Sequence, residues 1–213
     1  PARGSPKGPN TAGLSPETTG RTPVRSTLDK LISYLGLALA GLLLVGGGLL
    51  LWGANFTNSN VHDQLKQQDI TMPSGPAIED PLIKPYLEQY AGQEMTTGDQ
   101  ARAFAEHYIK VHMDKSSGGR TYEDVSGEFI TLSKDKNADQ TKLAELGQLR
   151  QSLFMGNTLR GLLLNAYAFG TMAKIMTYAA VAAFVGAAAM ALLALLGLQH
   201  AKKVANAAPA RAA

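Results

Sequence analysis

The chain has 213 residues, a formal net charge of +3 and no cysteine. The absence of cysteine excludes disulfide bonds, thiolate metal sites and cysteine nucleophiles. The net charge is too small to predict a nucleic-acid partner, so the distribution of charge along the chain is more informative than its sum.

Residues 1–30 form a polar arm rich in Pro, Gly, Ser and Thr, with five Lys or Arg residues and two acidic ones. Residues 1–27 contain almost no large apolar side chains. Such a segment cannot bury enough surface to offset the entropy of ordering it, so we expect residues 1–27 to be disordered when alone.

Two runs of 24 residues, 31–54 and 175–198, contain no charged residue. As helices they would each be about 36 Å long, enough to cross a hydrocarbon core of about 30 Å. Both runs therefore predict transmembrane helices, and Trp52 lies where an interfacial aromatic residue is expected. A cleaved signal peptide is the main alternative for the first run. An apolar region of about 7–15 residues is typical of such peptides, which favours an uncleaved span.

The charges on either side of these runs predict their orientation. The tail 199–213 carries three basic residues and no acidic one, whereas residues 55–174 carry twelve basic and fifteen acidic residues. Short basic segments remain on the cytoplasmic side of a membrane. The sequence thus predicts an all-α membrane protein in which a helical hairpin of two transmembrane helices has both termini in the cytoplasm. Residues 55–174 would form an external helical domain.

The first part of this external segment predicts short helices. Four prolines make residues 70–85 a loop, and residues 82–90 favour a short helix. The sequence Thr-Gly-Asp at 97–99 precedes apolar residues that recur at helical spacing to about Asp114.

The second part predicts two further helices. Thr121 and Asp124 have the spacing of a capping box, which would begin a helix that reaches about Leu132. A polar break at 133–139 follows. One long helix is then expected from Gln140 into the second apolar run.

No catalytic, cofactor-binding or metal-binding constellation is predicted. His107 and His112 are five residues apart, which separates them by about 140° around a helix, unlike the i, i+4 pair of a zinc site. The sequence also lacks the glycine-rich phosphate-binding and serine-hydrolase motifs. We therefore expect a protein that is not an enzyme.

Small residues at intervals of four make both runs candidates for close helix packing. The candidates are Gly36 and Ala40 on the first run and Ala179, Ala183, Gly186 and Ala187 on the second. They would serve either packing of the two spans on each other or packing on a partner. Neither run contains an ionisable group, which argues against an ion path through the chain.

Residues 149–170 read LRQSLFMGNTLRGLLLNAYAFG. This segment resembles the most distinctive stretch of a family of small two-span actinobacterial membrane proteins, many of which are labelled aromatic ring-opening dioxygenase. The turn at 119–122 is similar to the family as well, and the resemblance covers about residues 31–200. The label implies a non-haem iron site, whereas the histidine spacing here does not provide the converging ligands of such a site.

The resemblance extends to family members that are accessory subunits of the respiratory supercomplex, in which the cytochrome bcc complex is joined to an aa3-type oxidase. It implies a protein of the bacterial plasma membrane that binds the lipid bilayer and a larger complex of the electron transport chain. Arg160, Asn165 and Tyr167 would contact this partner or anchor the helix at the membrane interface. A free-standing envelope protein that associates with itself, as a scaffold or sensor, is the alternative, and an enzyme is a third class.

Overall fold

The computed structural model describes residues 21–207, and it describes the side chains of 27–203 and of Asn206. This part of the chain is helical and contains no β-strand beyond an isolated bridge between Thr71 and Glu94. The α-helices are α1 (Arg21–Lys66), α2 (Lys84–Leu87), α3 (Gly98–Phe104), α4 (Lys110–Ser117), α5 (Tyr122–Leu132) and α6 (Gln140–Ala207). Gly75–Ile78 and Glu88–Tyr90 are 3-10 helices, and Ala105–Ile109 is a π-helical turn between α3 and α4.

Helices α1 and α6 are both long and apolar enough to cross a membrane. Only 11% and 17% of the residues in their most apolar windows are buried within the chain. The core helix of a water-soluble domain would instead be mostly buried, so these two windows are exposed apolar surfaces.

The disorder expected for residues 1–27 when alone stays a prediction. Residues 21–27 are the start of a helix that continues into the first apolar run. Helix α1 begins at Arg21, and residues 1–20 lie outside the described residues. Extending an existing helix adds one hydrogen bond for each residue that is fixed, and Pro23 is tolerated because it lies in the first turn. A long apolar helix can therefore extend into a polar segment that would not form a helix alone.

The chain divides into two compact units, Pro1–Val45 with Ala183–Ala213 and Gly46–Ala182. In the first unit, α1 and α6 pack through small residues. A Cβ on Gly36 would lie 3.3 Å from the Cβ of Ala194, and a Cβ on Gly186 would lie 3.5 Å from Cδ1 of Leu43. The buried residues along this contact recur every seven positions, which is the spacing of a left-handed coiled coil. They are Ser33 and Ala40 on α1 and Ala187, Ala194 and Ala201 on α6.

The second unit contains the main apolar core. The C-terminal end of α1 and the loops after it pack on α3 and on one face of α6. The buried core residues include Val61, Leu65, Met72, Ile78, Ile83, Leu87, Met95, Ala101, Ala105 and Leu163. A smaller cluster of Val125, Leu146 and Leu153 attaches α5 to the start of α6.

Both predicted helix starts in this unit are confirmed. Each is a capping box, which was predicted for Thr121 but not for Thr97. The Thr97 hydroxyl accepts a hydrogen bond from the backbone N–H of Gln100, and the Thr121 hydroxyl accepts one from that of Asp124. The hydrogen bonds that Thr121 donates in return hold the pKa of Asp124 below its ordinary value. These local pairs explain why α3 and α5 begin where the sequence predicts.

The predicted helix between Thr97 and Asp114 is present but is not a single α-helix. The π-helical turn interrupts it, and α4 ends at Ser117 with Gly118 in the left-handed conformation at φ 63°. Glycine occupies this conformation without the steric cost that a Cβ would bring.

Substitution of Gly98 should destabilise the second unit. A Cβ at Gly98 would lie 2.9 Å from Cα of Tyr167 and 3.0 Å from the carbonyl oxygen of Ala166, so two backbones would have to separate. We expect Gly98→Ala to lower the free energy of unfolding by about 1–3 kcal/mol. The measurement is urea unfolding in detergent micelles, followed by circular dichroism.

The matched control for this test is Gly127→Ala in α5. A Cβ there meets no atom within 4 Å, and alanine is the better helix former, so this change should be neutral or stabilising. Equal effects of the two substitutions would contradict the close approach of α3 to α6.

Candidate functional site

Arg160, within residues 149–170 of α6, binds the π-helical turn. Its guanidinium donates from Nε to the Ala105 carbonyl oxygen at 3.2 Å and from Nη2 to Oε1 of Glu106 at 2.8 Å. Its third donor, Nη1, lies 3.4 Å from Oδ1 of Asn157 on the same helix. The Arg160 side chain is only 20% exposed, so this planar fork is a structural clamp between α6 and the turn.

The π-helical turn places the acceptors of this clamp. In the turn the Lys110 N–H donates to the Ala105 carbonyl, five residues back, instead of four. The extra residue changes the direction of the side chains that follow, and π-turns are frequent at functional sites for this reason. Here Glu106 and the Ala105 carbonyl both contact the arginine.

Tyr167 also has a partner within the chain. Arg102 of α3 donates from Nη1 to the Tyr167 hydroxyl at 3.0 Å, and its guanidinium carbon lies 4.8 Å from the centre of the ring. Two turns further along α6, Lys174 pairs with Asp99. Two of the three residues proposed from the sequence to contact a partner thus bind the chain itself. Arg160 binds the π-helical turn, and Tyr167 binds α3.

Asn165, the third of these residues, lines an open groove of about 400 Å³ within the second unit. Residues 56–70, at the end of α1 and in the turn after it, form one wall, and 159–169 of α6 form the other. None of the lining residues is ionisable. They are Phe56, Thr57, Asn60, Val61, Gln64, Leu65, Gln68, Ile70, Leu159, Leu162, Leu163, Asn165, Ala166 and Phe169.

His107 and His112 each contact another group of the chain. The His107 ring stacks on Tyr86 with centroids 3.5 Å apart and planes 5° apart, and Nδ1 of His112 lies 2.8 Å from the Tyr108 carbonyl oxygen. Among the described residues, no group of three or more His, Cys, Asp or Glu side chains is placed to hold a metal ion. These residues do not fit the iron site that the dioxygenase label implies.

The small residues proposed for helix packing are placed unequally. Ala40 and Ala187 are buried, Gly36, Ala183 and Gly186 are half-buried, and Ala179 is exposed. Sequence reasoning missed Ala194 and Ala201, because it followed intervals of four rather than seven. Alanine recurs every seven residues from 180 to 201, and this pattern predicts the row of buried residues on α6.

Comparisons with protein-family models, with curated proteins and with solved structures find no match to the chain. The class that the fold defines is therefore a broad one. Over the described residues 21–207 the chain is helical, with two helices apolar enough to cross a membrane and an exposed groove whose lining has no ionisable group.

Loss of the Arg160 clamp should destabilise the second unit. Arg160→Ala leaves Glu106 and the Ala105 carbonyl without this donor, and we expect the free energy of unfolding to fall by about 1–3 kcal/mol. Arg160→Lys should recover only part, because a lysine cannot bond both acceptors in a fixed fork. Urea unfolding of the purified variants measures both effects.

The control for the clamp is Lys174→Ala, which removes an exposed ion pair on the same helix. Such pairs contribute at most about 1 kcal/mol. If Arg160→Ala costs no more than Lys174→Ala, the interpretation of Arg160 as a clamp is wrong.

His107 should make stability depend on pH. Burial lowers the pKa of its imidazole, the positive charge of Arg102 lowers it further, and Glu106 opposes both effects. The folded chain therefore binds a proton at His107 less readily than the unfolded chain, in which the imidazole has its ordinary pKa of about 6.5. The contribution of His107 to the free energy of unfolding is therefore fully present above about pH 6.5, and it should decrease as the pH falls below that value.

The measurement is the thermal midpoint between pH 7.5 and pH 5.5 for the wild type and for His107→Phe. Phenylalanine can stack on Tyr86 and does not titrate. We expect the thermal midpoint to fall less on acidification in the variant than in the wild type. Parallel pH profiles would show that His107 does not carry the effect.

Proposed function

We propose that the chain is a non-catalytic accessory subunit of an actinobacterial respiratory supercomplex, which it stabilises or helps to assemble. Residues 149–170 resemble the corresponding segment of the mycobacterial respiratory supercomplex association factor, an accessory subunit of the cytochrome bcc–aa3 assembly. The observation that carries a binding role is the exposed groove without ionisable groups beside this segment. The partners would be subunits of the cytochrome bcc complex and the aa3-type oxidase.

The proposed arrangement is a hairpin in the plasma membrane. Residues 31–54 and 175–198 cross the bilayer, both termini are cytoplasmic, and 55–174 lie outside. The contacts support a hairpin, because α1 and α6 are antiparallel where they pack. Gly36 meets Ala194, and Leu43 meets Gly186. The basic tails and the acidic middle segment favour the same orientation.

A non-catalytic role agrees with what the polar side chains do. Arg160, Glu106, Arg102 and Tyr167 hydrogen-bond one another or the backbone, which fixes the external helices on α6. The surfaces that face outward from the two long helices are apolar, and such surfaces mark sites of contact with lipid or protein.

Self-association in the cell envelope is the second candidate. Ala179 and Tyr178 lie on an exposed part of α6, and Tyr178 is 73% exposed. Small residues on an exposed apolar helix allow a second copy to approach closely. A scaffold or sensor built in this way would need no other subunit.

Native electrophoresis after extraction in a mild detergent separates these functions. We expect the chain to migrate with a haem-containing complex, because apolar contacts between subunits survive mild extraction. A single chain or a small homo-oligomer that migrates without haem would contradict the proposal and support self-association. Stoichiometric iron in the purified chain would contradict the non-catalytic role.

A further inference from the structure

We propose that the groove between residues 56–70 and 159–169 binds a helix of a neighbouring membrane subunit. This helix would cross the membrane and continue beyond its outer surface. This inference rests on the proposed function, and it identifies the kind of segment that the chain recognises. It commits to a protein helix with an uncharged face, rather than a lipid or a second copy of this chain.

The two walls of the groove differ in chemistry. On α1 and in the turn after it, hydrogen-bonding side chains recur about once per turn, at Thr57, Asn60, Gln64 and Gln68. The wall from α6 is mainly apolar, and its Leu162 is 65% exposed although it lies beside the core residue Leu163. An occupant must therefore present apolar groups to one wall and uncharged hydrogen-bonding groups to the other.

The lack of charge restricts the occupant further. A charged face buried against these walls would lose its hydration without gaining a partner of opposite charge, which costs several kcal/mol per ion. Asn, Gln, Ser and Thr side chains, in contrast, can exchange hydrogen bonds with the amides of Gln64 and Asn165. Such pairs, with small and apolar residues around them, are typical of contacts between membrane helices.

The level of the groove separates a helix from a lipid. The groove begins at Phe56, two residues beyond the charge-free run, and both walls extend about 15 Å along their helices. The polar layer of a bilayer is only about 5–8 Å thick on each side. A lipid in this position would therefore reach Phe56 and Thr57 but not Gln68 or Leu159.

A helix that leaves the membrane beside α1 would reach the whole groove. Over about 15 Å it makes nearly three turns, enough for side chains at i, i+3 or i+4, and i+7 to contact the walls. Gly53 lies against Met176, and counting eleven residues outward on each helix places Gln64 at the level of Asn165. The two amides thus face the middle turn of the occupant.

The first test places a lysine in each wall, with Gln64→Lys and Leu162→Lys. Both positions are exposed, so the chain should fold, and we expect its co-migration with the haem-containing complex to fall by about tenfold or more. The controls are Ser59→Lys and Ala168→Lys, which are exposed positions on the same two helices that do not line the groove. These should co-migrate as the wild type does.

The second test identifies the occupant. A photoreactive benzoylphenylalanine at position 162 is irradiated in intact membranes, and the adduct is read by mass spectrometry. The expected product is a peptide of another membrane subunit that directly follows an apolar run and has an uncharged face. A phospholipid adduct, a cross-link to a second copy of this chain, or no adduct would overturn the inference.

The outcomes also separate this inference from the proposed function. If the wild type and both groove variants co-migrate with the complex equally, the groove is not the binding site and the accessory role stands. If the wild type does not co-migrate, the proposed function is wrong and the inference fails with it.

Discussion

The short helices of the second unit depend on the contact between two backbones at Gly98. At this point the start of α3 lies directly on residues 166–170 of α6, with no side chain between them. From there the chain runs back along α6, so that Arg102 meets Tyr167, Glu106 meets Arg160, and Met113 lies against Gly156. Each of these pairs requires the register that the first contact sets. A larger residue at this position would therefore disturb a whole series of polar contacts as well as one steric contact.

The π-helical turn is the second element of this register. An ordinary α-helix from Gly98 to Ser117 would turn by about 100° per residue without interruption, so its later side chains would be directed differently. With the additional residue, the Ala105 carbonyl accepts from Arg160 while His107 stacks on Tyr86 on another side. The bonds to Arg160 offset the cost of an irregular turn. The irregularity and the arginine are best understood as one structural feature.

Local patterns in the sequence predict a large part of this fold, and the parts that they miss are tertiary. The starts of α3 and α5 follow from Thr97 and Thr121, because a capping box involves residues only three apart. The π-helical turn bonds to Arg160, more than fifty residues away, so the local spacing of apolar residues does not indicate it. The chain partners of Arg160 and Tyr167 were missed for the same reason. The close approach of α3 to α6 at Gly98 could not be predicted either, because a glycine is also common at the start of a helix.

These differences change which surface is available to a partner. The sequence directs attention to Arg160 and Tyr167, which precede the second apolar run, yet both bind other residues of the chain. What remains exposed on the same segment is uncharged, at Leu162, Asn165 and Phe169. Binding through such a surface depends on apolar area and on short hydrogen bonds, which salt screens far less than it screens exposed charge pairs. The charged residues therefore fix the shape of the second unit, and the uncharged groove beside them is the surface that stays exposed.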